Sequence, residues 1–339
     1  MKEVFTYDDL LLVPQYSDIR SREEVNLSTS LDNLLTLELP IIASPMDTVS
    51  EGDSAAVIGQ AGGTAVIHRY NSIEEQVAIV ESTISSSEDL IIGGAVGVTG
   101  DYLDRAVSLF AAGADFICVD VAHGHSILMK EALEVLRNNL PDHFHIMAGN
   151  VATVEGFNDL ADWGANSIRC NIGGGSICTT RIQTGHGVPG LQTIFDCARS
   201  DRNAKIIADG GIKSSGDIVK ALAAGADAVM LGSLLAGTDE SPGRLFRSAT
   251  GELRKEYRGM ASAEAQMAWR GKVSSLEGVA HSVPFRGSLH TILEDLERGI
   301  RSGLSYSGAR SIKELQAKAQ WVRQTGASQV ESSAHIKVR

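Results

Sequence analysis

The 339-residue sequence is short of three things, and each shortage narrows the field. No apolar run approaches the roughly 18 residues that a bilayer-spanning helix requires, so no membrane partner is expected. There are four cysteines, Cys118, Cys170, Cys178 and Cys197, and none stands in a CxxC or Cys/His spacing. A zinc site or a disulfide framework is therefore not expected, and a reducing cytoplasm is. Positive charge is also scarce: 30 Lys and Arg face 42 Asp and Glu, a net charge of −12. Nucleic acid, whose phosphates need clustered cations, is thus not expected as a general partner. A small anionic ligand needs only a local positive site and stays open. The plain consequence of the acidity is solubility. The start, Met1-Lys2-Glu3, resembles neither a signal nor a transit peptide.

What the sequence does have is a repeat. A short β-branched run, a polar or Gly-containing turn and an amphipathic stretch recur along the chain. The runs are residues 41–47, 64–68, 91–96, 116–120, 145–150, 167–172, 205–209 and 228–232. Their near-continuous hydrophobicity fits strands buried on both faces of a parallel sheet. Helical spacing of apolar residues follows at 103–112, 126–138, 154–163, 191–198 and 215–224. Gly113, Gly164 and Gly225 each stand just past a helix end, where a left-handed residue turns the chain into the next strand. Eight such units predict an α/β fold, a single-domain (β/α)8 TIM barrel over residues 1–339. Residues 1–40 are expected at the barrel bottom or an edge, and 250–310 as a mobile flap (about 250–285) and the last helix. The polar tail from about 325 to 339 is expected to be disordered or to dock on a neighbour.

Barrel chemistry sits where the strands end and the βα loops begin. Those positions hold Ser44-Pro45-Met46-Asp47, His68-Arg69, Asp120 with His123-Gly124-His125, Gly149-Asn150, the stretch 173–181, Asp209-Gly210-Gly211 and Gly232-Ser233. Three successive glycines before Ser176 let the backbone approach a ligand and present its N–H groups. Cys178, flanked by hydroxyls and Arg181, is a candidate nucleophile; the alternative is a small apolar residue in a flexible connection. The other three cysteines fall inside strand or helix patterns and read as buried. Gly210, Gly211, Gly232 and Ser233 close strands seven and eight, the common phosphate pocket of this fold, with Asp209 placed to accept from ribose hydroxyls. Ordinary turn chemistry is the alternative there. His123 and His125 read as loop structure rather than as metal ligands.

These residues carry a resemblance. The chain is similar to the IMP dehydrogenase/GMP reductase family along nearly its whole length. The matching stretches are Thr6-Tyr7-Asp8-Asp9-Leu10-Leu11-Leu12-Val13-Pro14, Ser44-Pro45-Met46-Asp47-Thr48-Val49, 173–181, Ala208-Asp209-Gly210-Gly211-Ile212, Leu231-Gly232-Ser233 and Tyr257-Arg258-Gly259-Met260. The resemblance implies that Cys178 attacks C2 of a purine nucleotide and that a hydride passes between C2 and a nicotinamide. It implies that Ser176, Gly211, Gly232, Ser233 and Tyr257 hold the phosphate, with Gly210 in the same turn and Asp209 on the ribose. Ser44 and Met46 would pack at the base, with Gly259, Met260 and Glu277 at its edge. Asp120, Val121, Ala122 and Asn150 would face the cofactor. The backbone of Gly173, Gly175 and Cys178 matches a potassium site of dehydrogenase members. A homotetramer is implied in the same way.

The branch is read from two features. Dehydrogenases usually insert a pair of CBS modules after strand two, and here one helical stretch of ordinary length joins strands two and three. They also carry an Arg-Tyr pair on a long flap, whereas the segment 261–276 has Arg270 alone, followed by Gly271. Thr180 and Glu277 match the pair that reductases are thought to use to protonate a departing amine. The resemblance thus favours a GMP reductase that turns GMP and NADPH into IMP, ammonia and NADP+. A compact IMP dehydrogenase using NAD and water is the alternative, and a nucleotide-binding protein of low activity is the third. Asn171 and Gly174 depart from the family's usual Gly and Pro, and His186 and Gly190 from its usual Val and Gln. Gly174 is expected to loosen the loop before ligand binds.

Overall fold

The computed structural model describes residues 2–87, 89–274 and 276–332. Eight parallel strands close a barrel in chain order: β1 (Ile41–Ala43), β2 (Thr64–Ile67), β3 (Ile92–Val96), β4 (Phe116–Asp120), β5 (His145–Val151), β6 (Ser167–Cys170), β7 (Lys205–Asp209) and β8 (Ala228–Leu231). β8 pairs with β1, with Leu231 beside Ala43, and that pairing completes the ring. All eight expected runs are strands, and the fold is the (β/α)8 TIM barrel. The first and sixth end early, at Ala43 and Cys170, because Ser44–Asp47 and the residues after Cys170 leave the sheet to form the site. The five helices expected from periodicity lie within two residues of their expected bounds.

Two apolar clusters hold the barrel. One, between strands and helices, includes Ile58, Val80, Leu109, Leu133, Phe157, Ile194 and Leu222. The other fills the interior with Ile42, Val66, Ala95, Phe116, Cys118, Met147, Ile207, Ala228 and Met230. Leu31, Leu35 and Leu37 plug that interior from below. They stand on and beside a hairpin, Thr29–Ser30 paired with Thr36–Leu37.

The same hairpin brings Asp32 under the barrel. Its Oδ2 lies 2.6 Å from His145 Nδ1, and His145 Nε2 lies 2.8 Å from Ser167 Oγ. Burial alone would raise the Asp32 carboxyl, yet the hydrogen bonds from His145 and the Leu34 and Leu35 N–H groups hold it at about 2. A carboxyl depressed in the folded state stabilises fully above its unfolded value near 4, and that stabilisation fades as pH falls towards 2. Between pH 4 and pH 2 the urea midpoint should therefore fall more steeply for the wild type than for Asp32→Asn. Parallel slopes would remove this contact from the acid response.

Of residues 1–40, the hairpin lies at the expected barrel bottom, whereas Tyr7 lies near the loop end of β7. Leu10–Leu12 pairs antiparallel with Trp321–Arg323. Lys213 binds Asp8 at 2.7 Å, and Lys220 Nζ donates to the Tyr7 carbonyl at 2.8 Å. These contacts carry the buried Tyr7 to the loop end of β7. After β8 comes the segment expected to form a flap. It opens on a three-stranded antiparallel sheet, β9 (Leu245–Arg247), β10 (Leu253–Arg258) and β11 (Ala280–Pro284), with a helix at Ala263–Arg270. Leu289–Tyr306 is not the last helix, since Ile312–Lys318 and the short Gly326–Glu331 follow. Gly326–Glu331 falls within the expected polar tail; residues 333–339 of that tail lie outside the described residues. Among the described residues, no helix is long and apolar enough to cross a membrane.

Candidate active site

A cavity of about 300 Å³ opens at the loop ends of the strands. It is lined by Ser44 and Met46 from β1, Asp120, Val121 and Ala122 from β4, and Asn150 from β5. The loop after β6 adds Gly173, Gly175, Ser176, Cys178 and Thr180; β7 adds Asp209, Gly210 and Gly211; β8 adds Gly232 and Ser233. Tyr257, Gly259, Met260 and Glu277 close it from the flap. Every site residue expected from the sequence thus stands on one cavity. His123 and His125 do not line it, and His125 Nε2 lies 2.8 Å from Asp159 Oδ2.

Cys178 is half-buried, with its thiol at one end of a short hydrogen-bond chain. The Sγ donates to Thr180 Oγ1 at 3.1 Å, and that hydroxyl donates to Glu277 Oε2 at 2.8 Å. Thr180 is only 8% exposed. Glu277 lies far away in sequence and is delivered by backbone pairing. Thr179 N donates to the Glu277 carbonyl at 2.9 Å, Val279 N donates to that of Ile177 at 3.1 Å, and Cys178 bridges Gly278. The segment 277–279 is therefore paired along the loop that carries Cys178. Burial pushes the Cys118 thiol up to about 12 and the Cys170 thiol well above its ordinary value. Neither provides a thiolate at neutral pH, and Cys197 is buried too.

The same cavity carries a glycine turn and a cluster of hydroxyls. Gly210 and Gly211 turn with φ of +81° and +76°, a conformation that costs glycine little. Ser176 Oγ and Tyr257 Oη are 3.3 Å apart. Burial raises the Tyr257 phenol although Ser176 and Ser233 hydrogen-bond to it, so it remains a donor at neutral pH.

The floor holds a residue that sequence reasoning missed. Arg169 is 7% exposed and projects from β6 between two carboxylates. It binds Asp120 Oδ1 through Nη1 and Asp209 Oδ2 through Nε at 3.0 Å and Nη2 at 2.8 Å. Burial works against its charge, but Asp209 and Asp120 outweigh it and raise the guanidinium well above its ordinary value. Asn150 Nδ2 donates to the same Asp209 oxygen at 2.7 Å. The signal available in the sequence was a lone charge inside an apolar strand, Ser167-Ile168-Arg169-Cys170. Arg69, Tyr70 and Asn171 also line the cavity and were given no role.

The backbone of Gly173, Gly175 and Cys178, where the resemblance implies a potassium site, has close neighbours of its own. The Gly175 carbonyl accepts from Cys178 N at 3.1 Å. The Arg181 guanidinium lies against Gly173 and takes the carbonyls of Val188 at 2.8 Å and Ile172 at 3.3 Å. The flap arginine, Arg270, is not among the residues lining the cavity; it lies 4.4 Å from the Trp269 ring centroid, and Trp269 stacks on Tyr70.

Comparison with known proteins places this geometry. Residues 4–335 match the family profile described as "IMP dehydrogenase / GMP reductase domain". The chain is 34% identical to a GMP reductase of Leishmania major, covering 99% of this chain and 97% of that one. It is 32% identical to an inosine-5′-monophosphate dehydrogenase of Nitrosopumilus maritimus, covering 98% of each. The Leishmania alignment spans 479 positions against 339 residues, so that relative carries sequence with no counterpart here. Among solved structures, a Cys→Ala variant of GMP reductase from Trypanosoma brucei in complex with guanosine 5′-monophosphate superposes with a TM-score of 0.94 at 31% identity. That match covers 100% of this chain and 99% of that one.

Proposed function

The chain belongs to the IMP dehydrogenase / GMP reductase family, and within it we propose that it is a GMP reductase, converting GMP to IMP and ammonia at the expense of NADPH. The observation that carries this reading is the Cys178–Thr180–Glu277 hydrogen-bond chain, whose donors all point towards the carboxylate. The wall formed by Asp120, Val121, Ala122 and Asn150 suits a flat nicotinamide. Val121 N donates to the Gly149 carbonyl at 3.1 Å, and Asn150 N donates to that of Val121 at 2.9 Å, which makes the wall rigid.

The residues divide the work by position. Ser176, Gly211, Ser233 and Tyr257 hold the 5′-phosphate, and Asp209, steadied by Arg169 and Asn150, takes ribose hydroxyls. The Cys178 sulfur bonds to C2 while its proton passes through Thr180 to Glu277. Glu277 returns that proton to the amino group, the C2–N bond breaks, and ammonia departs. NADPH supplies the hydride that takes the amine's place at C2. The C2–S bond then breaks, and the thiolate regains a proton from solvent, so one proton is consumed per turnover.

A compact IMP dehydrogenase is the rival reading, and it needs a base to activate water. The flap arginine that would serve lies over the Trp269 ring and is not itself among the residues lining the cavity, which weighs against it. Absorbance at 340 nm separates the two. Loss of NADPH with GMP, with ammonia released, supports the reductase; a rise with IMP and NAD alone overturns it. In the active direction, Glu277→Gln should lower kcat about a hundredfold or more and leave nucleotide affinity nearly unchanged. An unchanged kcat would confine Glu277 to base recognition.

A further inference from the structure

The loop that carries Cys178 contains Gly174, and on flexibility grounds alone that glycine should leave it loose. The geometry around Gly174 opposes this. A Cβ placed on Gly174 would meet Asn171 Nδ2 at 2.2 Å, Oδ1 at 2.7 Å and Cγ at 2.8 Å. The carboxamide of Asn171 thus fills the space that a side chain at 174 would need. It is 3% exposed and cannot swing out freely. Its Nδ2 donates to the Asp209 carbonyl at 2.8 Å and to the Gly210 carbonyl at 3.3 Å, across to the turn after β7. Its own backbone is fixed as well: Asn171 N donates to Val151 O at 2.9 Å, and Asn171 O accepts from Asn150 Nδ2 at 3.1 Å. Its Oδ1 is buried with no hydrogen-bond partner among the described residues, so the amide end does the holding.

We infer that Asn171 is the positioning residue of the nucleophile loop: standing where a Gly174 side chain would be, its carboxamide ties the loop bearing Cys178 to the turn bearing Asp209. The inference rests on the proposed function only in taking those two segments as the two ends of one nucleotide site. Asn171 touches neither reacting atom. It sets the distance between the sulfur and the phosphate-and-ribose turn, which one bound nucleotide must span. Gly174 is then required to be glycine because of Asn171, not for looseness. A side chain at 174 must either displace the carboxamide, breaking both bonds to the β7 turn, or push the loop off it.

The pair is tested by a double-substitution cycle on the full chain, with three variants: Asn171→Ala, Gly174→Ala and both together. The readout is alkylation of Cys178 by iodoacetamide, followed by mass spectrometry of its peptide, with GMP or IMP added as protectant. A general loss of stability does not move the half-protecting concentration in protein shown to be folded by its urea transition. Each single variant should raise that concentration about tenfold, the scale of losing one well-placed buried hydrogen bond. The double variant should match Asn171→Ala alone, because the obstacle to a residue at 174 has gone. Effects that multiply in the double variant, or singles equal to wild type, overturn the inference. If Gly174→Ala does not fold, recovery of folding in the double variant supports the pairing and its failure to recover overturns it. If neither nucleotide protects the wild type, the proposed function fails instead, and the same cycle is read from the alkylation rate without ligand.

Discussion

Cys178→Ala should abolish turnover in whichever direction the wild type runs, with kcat lowered on the order of 10⁴-fold or more, while nucleotide binding survives. The expectation follows from what the sulfur touches and what it does not. Its hydrogen bond goes to Thr180, and the part of the cavity proposed to take the phosphate, with Ser176, Ser233, Tyr257 and the 210–211 turn, makes no use of it. Losing it should therefore leave the affinity for GMP within a few-fold of wild type, a kcat effect separated from a binding effect. The half-buried position also means that stability should change by less than about 1 kcal/mol. No other thiol can take over. Cys118 and Cys170 are buried in β4 and β6 with thiols held far above neutral pH, and Cys197 is buried in a helix. Stopped turnover with titration of the variant by GMP is the measurement. Full turnover by Cys178→Ala would remove covalent catalysis, and with it both oxidoreductase readings. Cys178→Ser distinguishes chemistry from shape: it restores the polar contact to Thr180 but not the nucleophile, so it should be as inactive as alanine.

The legible parts of this protein were local in sequence. Each barrel strand announces itself as a short apolar run, because a strand buried on both faces has no polar side to show. The 173–178 loop is equally local, with its glycines and cysteine within six residues. What escaped notice depends on closure of the ring. Arg169 lies 49 residues from Asp120 and 40 from Asp209, and only the barrel brings the three side chains together. Glu277 was placed by family resemblance alone, since 97 residues separate it from Thr180 and the link is backbone pairing between two loops. The flap strands were read as a flap without a sheet. β10, Leu253–Arg258, is largely charged, and only Lys255 and Tyr257 within it are buried. Asn171 and Gly174 were visible as two separate oddities. Their steric interlock needs coordinates, because it concerns an atom that glycine lacks.

Arg169→Ala should strongly destabilise the fold, lowering unfolding free energy by about 3–5 kcal/mol. The reason is the company that the guanidinium keeps. Asp209 and Asp120 both face it, and Asn150 is the only other side chain bonded to the Asp209 carboxylate among the described residues. Removing Arg169 leaves two carboxylates that had shared one counter-ion, with Asn150 as an uncharged donor to Asp209 alone. Taking two like charges out of water without a counter-ion costs more than the pair contributed while intact. The comparison that isolates this cause is Arg169→Met combined with Asp120→Asn and Asp209→Asn, which removes all three charges and preserves most of the volume. If unpaired charge is the cause, the triple variant should regain most of the urea midpoint lost by Arg169→Ala while remaining inactive, because Asp209 no longer presents a carboxylate to ribose. If lost packing of the long side chain is the cause, Arg169→Met alone should already recover the midpoint, and the two neutralising changes should add nothing.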